Sequence, residues 1–272
     1  MSRAAPVIII TGSSDGIGAE MARQLAQQYG ARATLVLAAR NETALQQVAE
    51  QCRAYGSTCL VQPTDVSEES QCRRLIATTV AQFGGIDTLI NNAGKSAQAL
   101  LAEVSDLGWY EELMRINFWG SVWCTHAALP YLRQAAGHIV AVSSLAGLIG
   151  VPGRSAYSAS KFAMNGFFES LRSEVREAGV QITLAYPGVV ATRIRYHGYN
   201  AAGAAAGSSG LKEDDAMPVE QCARLIIAGM QQGKREVVMT AKGKLARWLK
   251  LIAPALVEKL ALAALKKEVR PD

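Results

Sequence analysis

The chain has 272 residues, half of them hydrophobic and 19% charged, which suits one large α/β domain or two small ones and excludes global disorder. Its formal charge of +5 is uneven: residues 234–272 hold ten Lys/Arg against four Asp/Glu, a net of +6, so the remainder sums to about −1. The basicity belongs to a tail, and no nucleic-acid-binding core is expected. Five cysteines, at 52, 59, 72, 124 and 222, include no C-x-x-C pair. Scattered reduced thiols in a cytoplasmic protein fit this better than a disulfide framework or a zinc ribbon. His126, His138 and His197 are far apart and form no H-E-x-x-H, so no metal site is expected. The first apolar run, Val7-Ile8-Ile9-Ile10, is too short for a signal peptide or a membrane span.

Taken in order, Val7–Thr11 is β-branched, short and closed by a glycine turn, which predicts a buried strand. Residues 16–29 carry Ile17, Met21, Leu25 and Tyr29 at i+4 spacing, one face of a helix that Gly30 stops. A strand over 33–39, a helix over 41–55 and a strand over 57–63 follow. Next come a helix from Ser67 to Phe83 and a strand over 86–90. Further predicted elements are a long helical region over 108–135, a strand over 137–143, a helix over 155–178 and a strand over 180–186. A helix over 217–231 and a strand over 235–240 close the series. Strands alternate with helices and several are continuously apolar, the pattern of a parallel sheet covered on both faces. The run AAGAAAGSSG at 201–210, followed by Lys212-Glu213-Asp214-Asp215, is too long and glycine-rich for a tight connection and predicts a mobile loop.

Four groups of residues carry chemistry. Thr11-Gly12-Ser13-Ser14-Asp15-Gly16-Ile17-Gly18 joins the first strand to the first helix, where glycines let backbone approach a phosphate and the helix end offers free N–H groups. The second strand ends Ala38-Ala39-Arg40, with a guanidinium where a carboxylate would meet ribose hydroxyls; Arg can grip a 2′-phosphate, which argues for NADP(H) over NAD(H). Asn91-Asn92-Ala93-Gly94 follows the fourth strand, and Asp65-Val66 follows the third. Ser144 ends the fifth strand, thirteen residues before Tyr157, and Lys161 lies four residues beyond, on the same helix face as Tyr157. An ammonium beside a phenol favours the phenolate and makes tyrosine usable as an acid–base group.

Together with Asn117 and Pro187-Gly188-Val189-Val190-Ala191-Thr192, these motifs resemble, in order and spacing over about residues 6–240, the short-chain dehydrogenase/reductase family. The resemblance implies one Rossmann-type, doubly wound α/β domain with a parallel seven-stranded sheet, strand order 3-2-1-4-5-6-7. It implies that Tyr157 is general acid in carbonyl reduction and base in alcohol oxidation, and that Ser144 hydrogen-bonds the substrate oxygen. Lys161 would bind the nicotinamide ribose and favour the Tyr157 phenolate. Asn117 would hold a water linking Lys161 to solvent. Gly12, Ser14, Asp15, Gly16, Ile17 and Gly18 would meet the cofactor, as would Pro187 and Gly188. Thr192 and the backbone near Val190 would bind the carboxamide, and Asp65 and Val66 the adenine. Asn92, Ala93 and Gly94 would line the adenine ribose and pyrophosphate side. Asp15 departs from the pattern, because NADP-preferring members often carry a basic or neutral residue there. The stretches 142–147 and 158–163 are similar to steroid-dehydrogenase-like members.

Residues 193–216 are expected to form a substrate lid, and 241–272 a basic amphipathic helical extension to the catalytic domain, 1–240. Leu245, Trp248, Leu249 and Ile252 make one helical stripe, Pro254 interrupts, and Leu256, Leu260, Leu262 and Leu265 resume it. Such helices cap the pocket or pack on another subunit, or else touch an anionic membrane surface weakly. The reading is therefore an NADP(H)-dependent oxidoreductase acting on a small, hydrophobic carbonyl/alcohol substrate, assembled as a homodimer or homotetramer. Against it stand a non-catalytic NADP-binding sensor or scaffold and a peripheral membrane protein acting through its tail.

Overall fold

The computed structural model describes residues 5–209 and 216–268, with side chains described as far as residue 263. Seven parallel strands form one sheet: β1 (Val7–Thr11), β2 (Thr34–Ala39), β3 (Thr58–Pro63), β4 (Thr88–Asn91), β5 (His138–Val142), β6 (Gln181–Tyr186) and β7 (Glu236–Val238). Their order, β3-β2-β1-β4-β5-β6-β7, is the expected one. The helices are α1 (Gly16–Tyr29), α2 (Glu42–Arg53), α3 (Glu69–Phe83), α4 (Gly108–Met114), α5 (Gly120–Ala135), α6 (Ser155–Glu174), α7 (Val219–Gln231), α8 (Ala241–Ile252) and α9 (Pro254–Glu268).

The unbroken apolar run of β1 follows from burial on both faces. Val7 and Ile9 pack with Leu75 of α3, Cys124 of α5 and Phe168 of α6, whereas Ile8 and Ile10 pack with Met21 of α1, Leu45 of α2 and Ile226 of α7. Alternate side chains of one strand thus feed two separate cores. The sheet order reverses between β1 and β4, which opens a crevice at the carboxyl ends of those strands.

Several predicted boundaries move for local reasons. The helix over 108–135 is interrupted by a π-helical turn at Arg115–Trp119. The helix expected from Ser67 begins at Glu69, because Ser67 gives both its N–H (3.0 Å) and its hydroxyl (2.7 Å) to Asp65 Oδ1. The strand expected over 86–90 starts at Thr88, since the Asp87 carboxylate turns to the Val7 N–H at 2.7 Å. The helix expected over 155–178 ends at Glu174 and passes into a 3₁₀ turn. Met217 leaves the helix expected over 217–231 by pairing with Val190. Beyond β7, Thr240 caps α8 through its hydroxyl, which accepts the Gly243 N–H at 3.0 Å.

The extension docks on the rim of the domain. Lys250 Nζ donates to the Leu148 carbonyl at 2.9 Å, and Val257 is buried. The predicted stripe nevertheless faces outward, with Trp248 68% and Ile252 81% exposed. Pro254 opens α9 at the one helical position where its missing N–H is harmless. Among the described residues no helix is long and apolar enough to cross a membrane.

The join between α1 and the glycine loop is the tightest point of the crevice. A Cβ on Gly18 would fall 2.3 Å from the Gly12 carbonyl oxygen, whereas one on Gly166 in α6 would meet nothing within 4 Å. Gly18→Ala should therefore destabilise the fold by about 1–3 kcal/mol, as overpacking does. Gly166→Ala should stabilise it by roughly 0.5–1 kcal/mol. Urea unfolding of the two variants tests this; equal effects would refute the packing account.

Candidate active site

A cavity of about 890 Å3 occupies the crevice. Of the site residues picked from the sequence, all but Gly18 and Asn117 line it. Gly18 lies buried beneath the glycine loop as a packing residue. Ser14, Gly16 and Ile17 form the wall above it. Asp15 caps α1 by accepting the Gly16 N–H at 2.7 Å, and its second oxygen faces Arg193 Nε at 3.3 Å. The unexpected carboxylate is therefore occupied by its own helix end and by an arginine of the lid segment. That ion pair is exposed, so solvent screens it.

At the ends of β2 and β3, Arg40 faces the cavity, and its guanidinium makes no hydrogen bond or ion pair among the described residues. The Asp65 carboxylate is turned onto Ser67, leaving Asp65 and Val66 as wall. After β4, Asn92 lies on the cavity wall with its side chain turned to the glycine loop. Its amide donates back to the carbonyls of Thr11 (2.9 Å) and Gly12 (3.1 Å), so it clamps the β4 loop to the glycine loop. The Thr11 hydroxyl accepts the N–H groups of Asn92 (3.0 Å) and Ala93 (3.1 Å) in the same join.

Of the catalytic candidates, Ser144, Tyr157 and Lys161 line the same cavity. Ser144 follows β5 in extended backbone, and its Oγ accepts the Ala146 N–H at 3.2 Å. Tyr157 lies in the first turn of α6, 7% exposed. Lys161 lies one turn further on, with Nζ 5.9 Å from the Tyr157 ring centroid. Lys161 is 3% exposed, and its Nζ donates to the Val142 carbonyl at 2.9 Å. Burial pushes its ammonium below the usual lysine range, and the neighbouring Tyr157 oxygen acts in the opposite direction.

Asn117 lies on the π turn, fully buried and off the cavity wall. Its Oδ1 accepts the Lys95 N–H at 2.8 Å, while Nδ2 donates to the Lys95 carbonyl (3.0 Å) and to Ser160 Oγ (3.0 Å). The side-chain amide is thus committed to protein partners. After β6, the Pro187 carbonyl accepts the Leu145 N–H at 3.0 Å and ties Gly188 and Val190 to the Ser144 turn. A Cβ on Gly16, which has φ +55°, would approach the Thr192 methyl to 3.3 Å, so a side chain there would fill the gap between the glycine loop and the β6 loop. That narrow, side-chain-free gap, the unpartnered Arg40 and the switch-point crevice fit a dinucleotide.

Other wall residues carried no local sequence signal. The Arg154 guanidinium lies 4.6 Å over the Tyr157 ring and donates to Ser96 Oγ and the Ala97 carbonyl. Lys95 Nζ lies 3.3 Å over the ring of Tyr199, which is itself buried. In the described part of the expected lid, Tyr199 N–H donates to the Ser96 carbonyl (3.0 Å) and Gln98 N–H to the Tyr199 carbonyl (2.9 Å). Lys212 to Asp215 lie outside the described residues. Ala261 of α9 reaches the cavity, so the extension helps to cap it.

Residues 6–202 match the short chain dehydrogenase family. The chain is 39% identical over 262 residues to an 11-beta-hydroxysteroid dehydrogenase A of Sesamum indicum, covering 94% of this chain and 74% of the relative. It is 40% identical over 244 residues to an 11-beta-hydroxysteroid dehydrogenase of Pinus massoniana, covering 85% and 66%. Among solved structures, a short chain dehydrogenase/reductase from Burkholderia phymatum in complex with NAD superposes with a TM-score of 0.80 at 25% identity, over 94% of this chain and 96% of that one. An alcohol dehydrogenase from Thermococcus sibiricus complexed with 5-hydroxy-NADP shares the fold, with a TM-score of 0.73 at 22% identity over 84% and 91%.

Proposed function

The chain belongs to the short-chain dehydrogenase/reductase family, and from that premise we propose that it is an NADP(H)-dependent oxidoreductase interconverting an apolar ketone and its secondary alcohol. The observation that carries the reading is the placement of Tyr157 and Lys161 one helical turn apart on a cavity that Ser144 also lines. When bound, the nicotinamide supplies or accepts the hydride. Ser144 Oγ donates a hydrogen bond to the carbonyl oxygen. Tyr157 Oη delivers the proton to that oxygen in reduction and removes it in oxidation. Lys161 keeps an ammonium beside the phenol and faces the ribose, while Asn117 fixes the backbone at Lys95 and the start of α6 through Ser160. Arg40 takes the 2′-phosphate, Gly12 to Ile17 the pyrophosphate, and Thr192 with the Val190 backbone the carboxamide.

Apolar wall residues such as Leu145, Val151 and Ile194 support a hydrophobic substrate. The five free cysteines support a reducing, cytoplasmic setting. A homodimer through the helices of 108–135 and α6 is supported by aromatic side chains there, with Trp119 44% and Phe162 37% exposed. A monomeric mass by light scattering at micromolar concentration would contradict that assembly.

Tyr157→Phe keeps the ring and removes the transferable proton. Ketone reduction should fall at least ~100-fold while NADPH binding persists. Turnover close to wild type would remove Tyr157 from the mechanism. Arg40→Ala should raise KM for NADPH roughly ten- to a hundredfold, the loss of a charge-assisted bond. It should leave KM for NADH nearly unchanged; a variant that keeps its preference for NADPH would place the discrimination elsewhere.

A further inference from the structure

Large apolar side chains scattered singly over a surface are ordinary, whereas a contiguous group of them marks an interaction surface. Fifteen are exposed among the described residues, and seven of these lie within residues 245–262, on α8 and α9. On α8, Leu245, Trp248 and Ile252 stand at i, i+3 and i+7, one helix face, with Leu251 beside Trp248 at i+3. All four are between 66% and 81% exposed. The opposite face of α8 is the one that docks. A Cβ on Gly243 would fall 2.5 Å from Leu145 Cδ2, and Lys250 Nζ reaches the Leu148 carbonyl. α9 repeats the arrangement, with Val257 buried, Ala261 on the cavity wall and Leu256, Leu260 and Leu262 exposed.

The charges around these apolar side chains are nearly all of one sign. Lys242 precedes Leu245 by three residues, and Lys244 precedes Trp248 by four and Leu251 by seven, so the two lysines border the α8 face on either side. On α9, Lys259 is three residues from both Leu256 and Leu262. All three lysines are exposed, and Glu258 is the single carboxylate among the described side chains of the two helices. Arg247, by contrast, is taken up by Glu236. A two-fold copy of the chain on this face would set three lysines and one carboxylate against the same set, which repels. An anionic lipid surface complements the lysines, and its interface suits the apolar ring and polar N–H of the Trp248 indole.

We propose that α8 and the exposed side of α9 dock on an anionic lipid bilayer. Leu245, Trp248 and Ile252 enter at the level of the headgroups, and Lys242, Lys244 and Lys259 meet the lipid phosphates. A helix with Trp and Leu on one face and lysines along its margins lies in the plane of such an interface. The contact is peripheral, since an amphipathic face of this kind reaches only the boundary between headgroups and acyl chains. The docking face contains none of the catalytic or cofactor candidates, so the proposal stands apart from the oxidoreductase reading.

The test is sedimentation of the full-length protein with two kinds of vesicle, phosphatidylcholine alone and phosphatidylcholine with phosphatidylserine in equal parts. The expected result is binding to the anionic vesicles, little to the neutral ones, and release as salt is raised. Lys242→Gln combined with Lys244→Gln should weaken binding roughly 25-fold, about fivefold for each lysine. Trp248→Ser combined with Ile252→Ser should weaken it by ~10-fold or more. All four positions are exposed, so thermal melting of both variants should match that of the wild type. Brominated phosphatidylcholine in the anionic vesicles should quench the fluorescence of the wild type and far less that of Trp248→Phe, which keeps an apolar ring. Failure to bind the anionic vesicles would overturn the proposal, as would equal binding to both kinds. So would undiminished binding by Trp248→Ser/Ile252→Ser. A fall in the solution mass of that variant, measured by light scattering without lipid, would also overturn it and give the face to a second copy of the chain.

Discussion

The ammonium of Lys161 is almost wholly withdrawn from water, and a buried cation must be met by oxygen atoms or lose its proton. The Val142 carbonyl, at the carboxyl end of β5, provides one such oxygen at 2.9 Å. Gly94 lies next to Lys161 and Asn117: a Cβ there would press on Asn117 Oδ1 at 3.2 Å and make ordinary contact with Lys161 Nζ at 3.6 Å. Asn117 in turn fixes Lys95 and, through Ser160, the first turns of α6. The β4 loop, the π turn and α6 are thus joined beside the buried Lys161 by the side chain of Asn117.

The sheet supplies the rigid side of that arrangement. β1, β4 and β5 are paired in register and buried on both faces, so the loops that leave their carboxyl ends start from fixed points. Thr11 and Asn92 then cross-link two of these loops. The later parts of the chain lie over these loops. The lid meets the glycine loop through an exposed Asp15–Arg193 pair, and α8 and α9 lie on the rim with large apolar side chains outward.

What could be read from the amino-acid sequence was whatever depends on short-range spacing. Continuous apolar strands alternating with helices gave the layers, and Tyr157 and Lys161 at i,i+4 gave one face of α6. The strand order and the grouping of Ser144 with Tyr157 on one cavity came through the family resemblance. The π turn was not legible, because Arg115–Trp119 has ordinary helix-forming neighbours on both sides. Lys95, Arg154 and Arg193 were missed for another reason: their partners, Tyr199, Ser96 and Asp15, are separated from them by up to 178 residues. The turning of Asn92 and Asp65 onto the backbone was equally invisible, since a motif fixes residue types but not which way an amide or carboxylate points.

The central claim is hydride transfer at the Tyr157 wall of the crevice, and isotope transfer tests it most directly. The enzyme would be incubated with NADPH deuterated at the reacting carbon and with a panel of apolar ketones, and the alcohols analysed by mass spectrometry. The account predicts one deuterium on the carbinol carbon of the product, at a rate that the Tyr157→Phe variant loses. Tight NADPH binding with no labelled alcohol from any ketone, or label transfer that survives Tyr157→Phe undiminished, would contradict it.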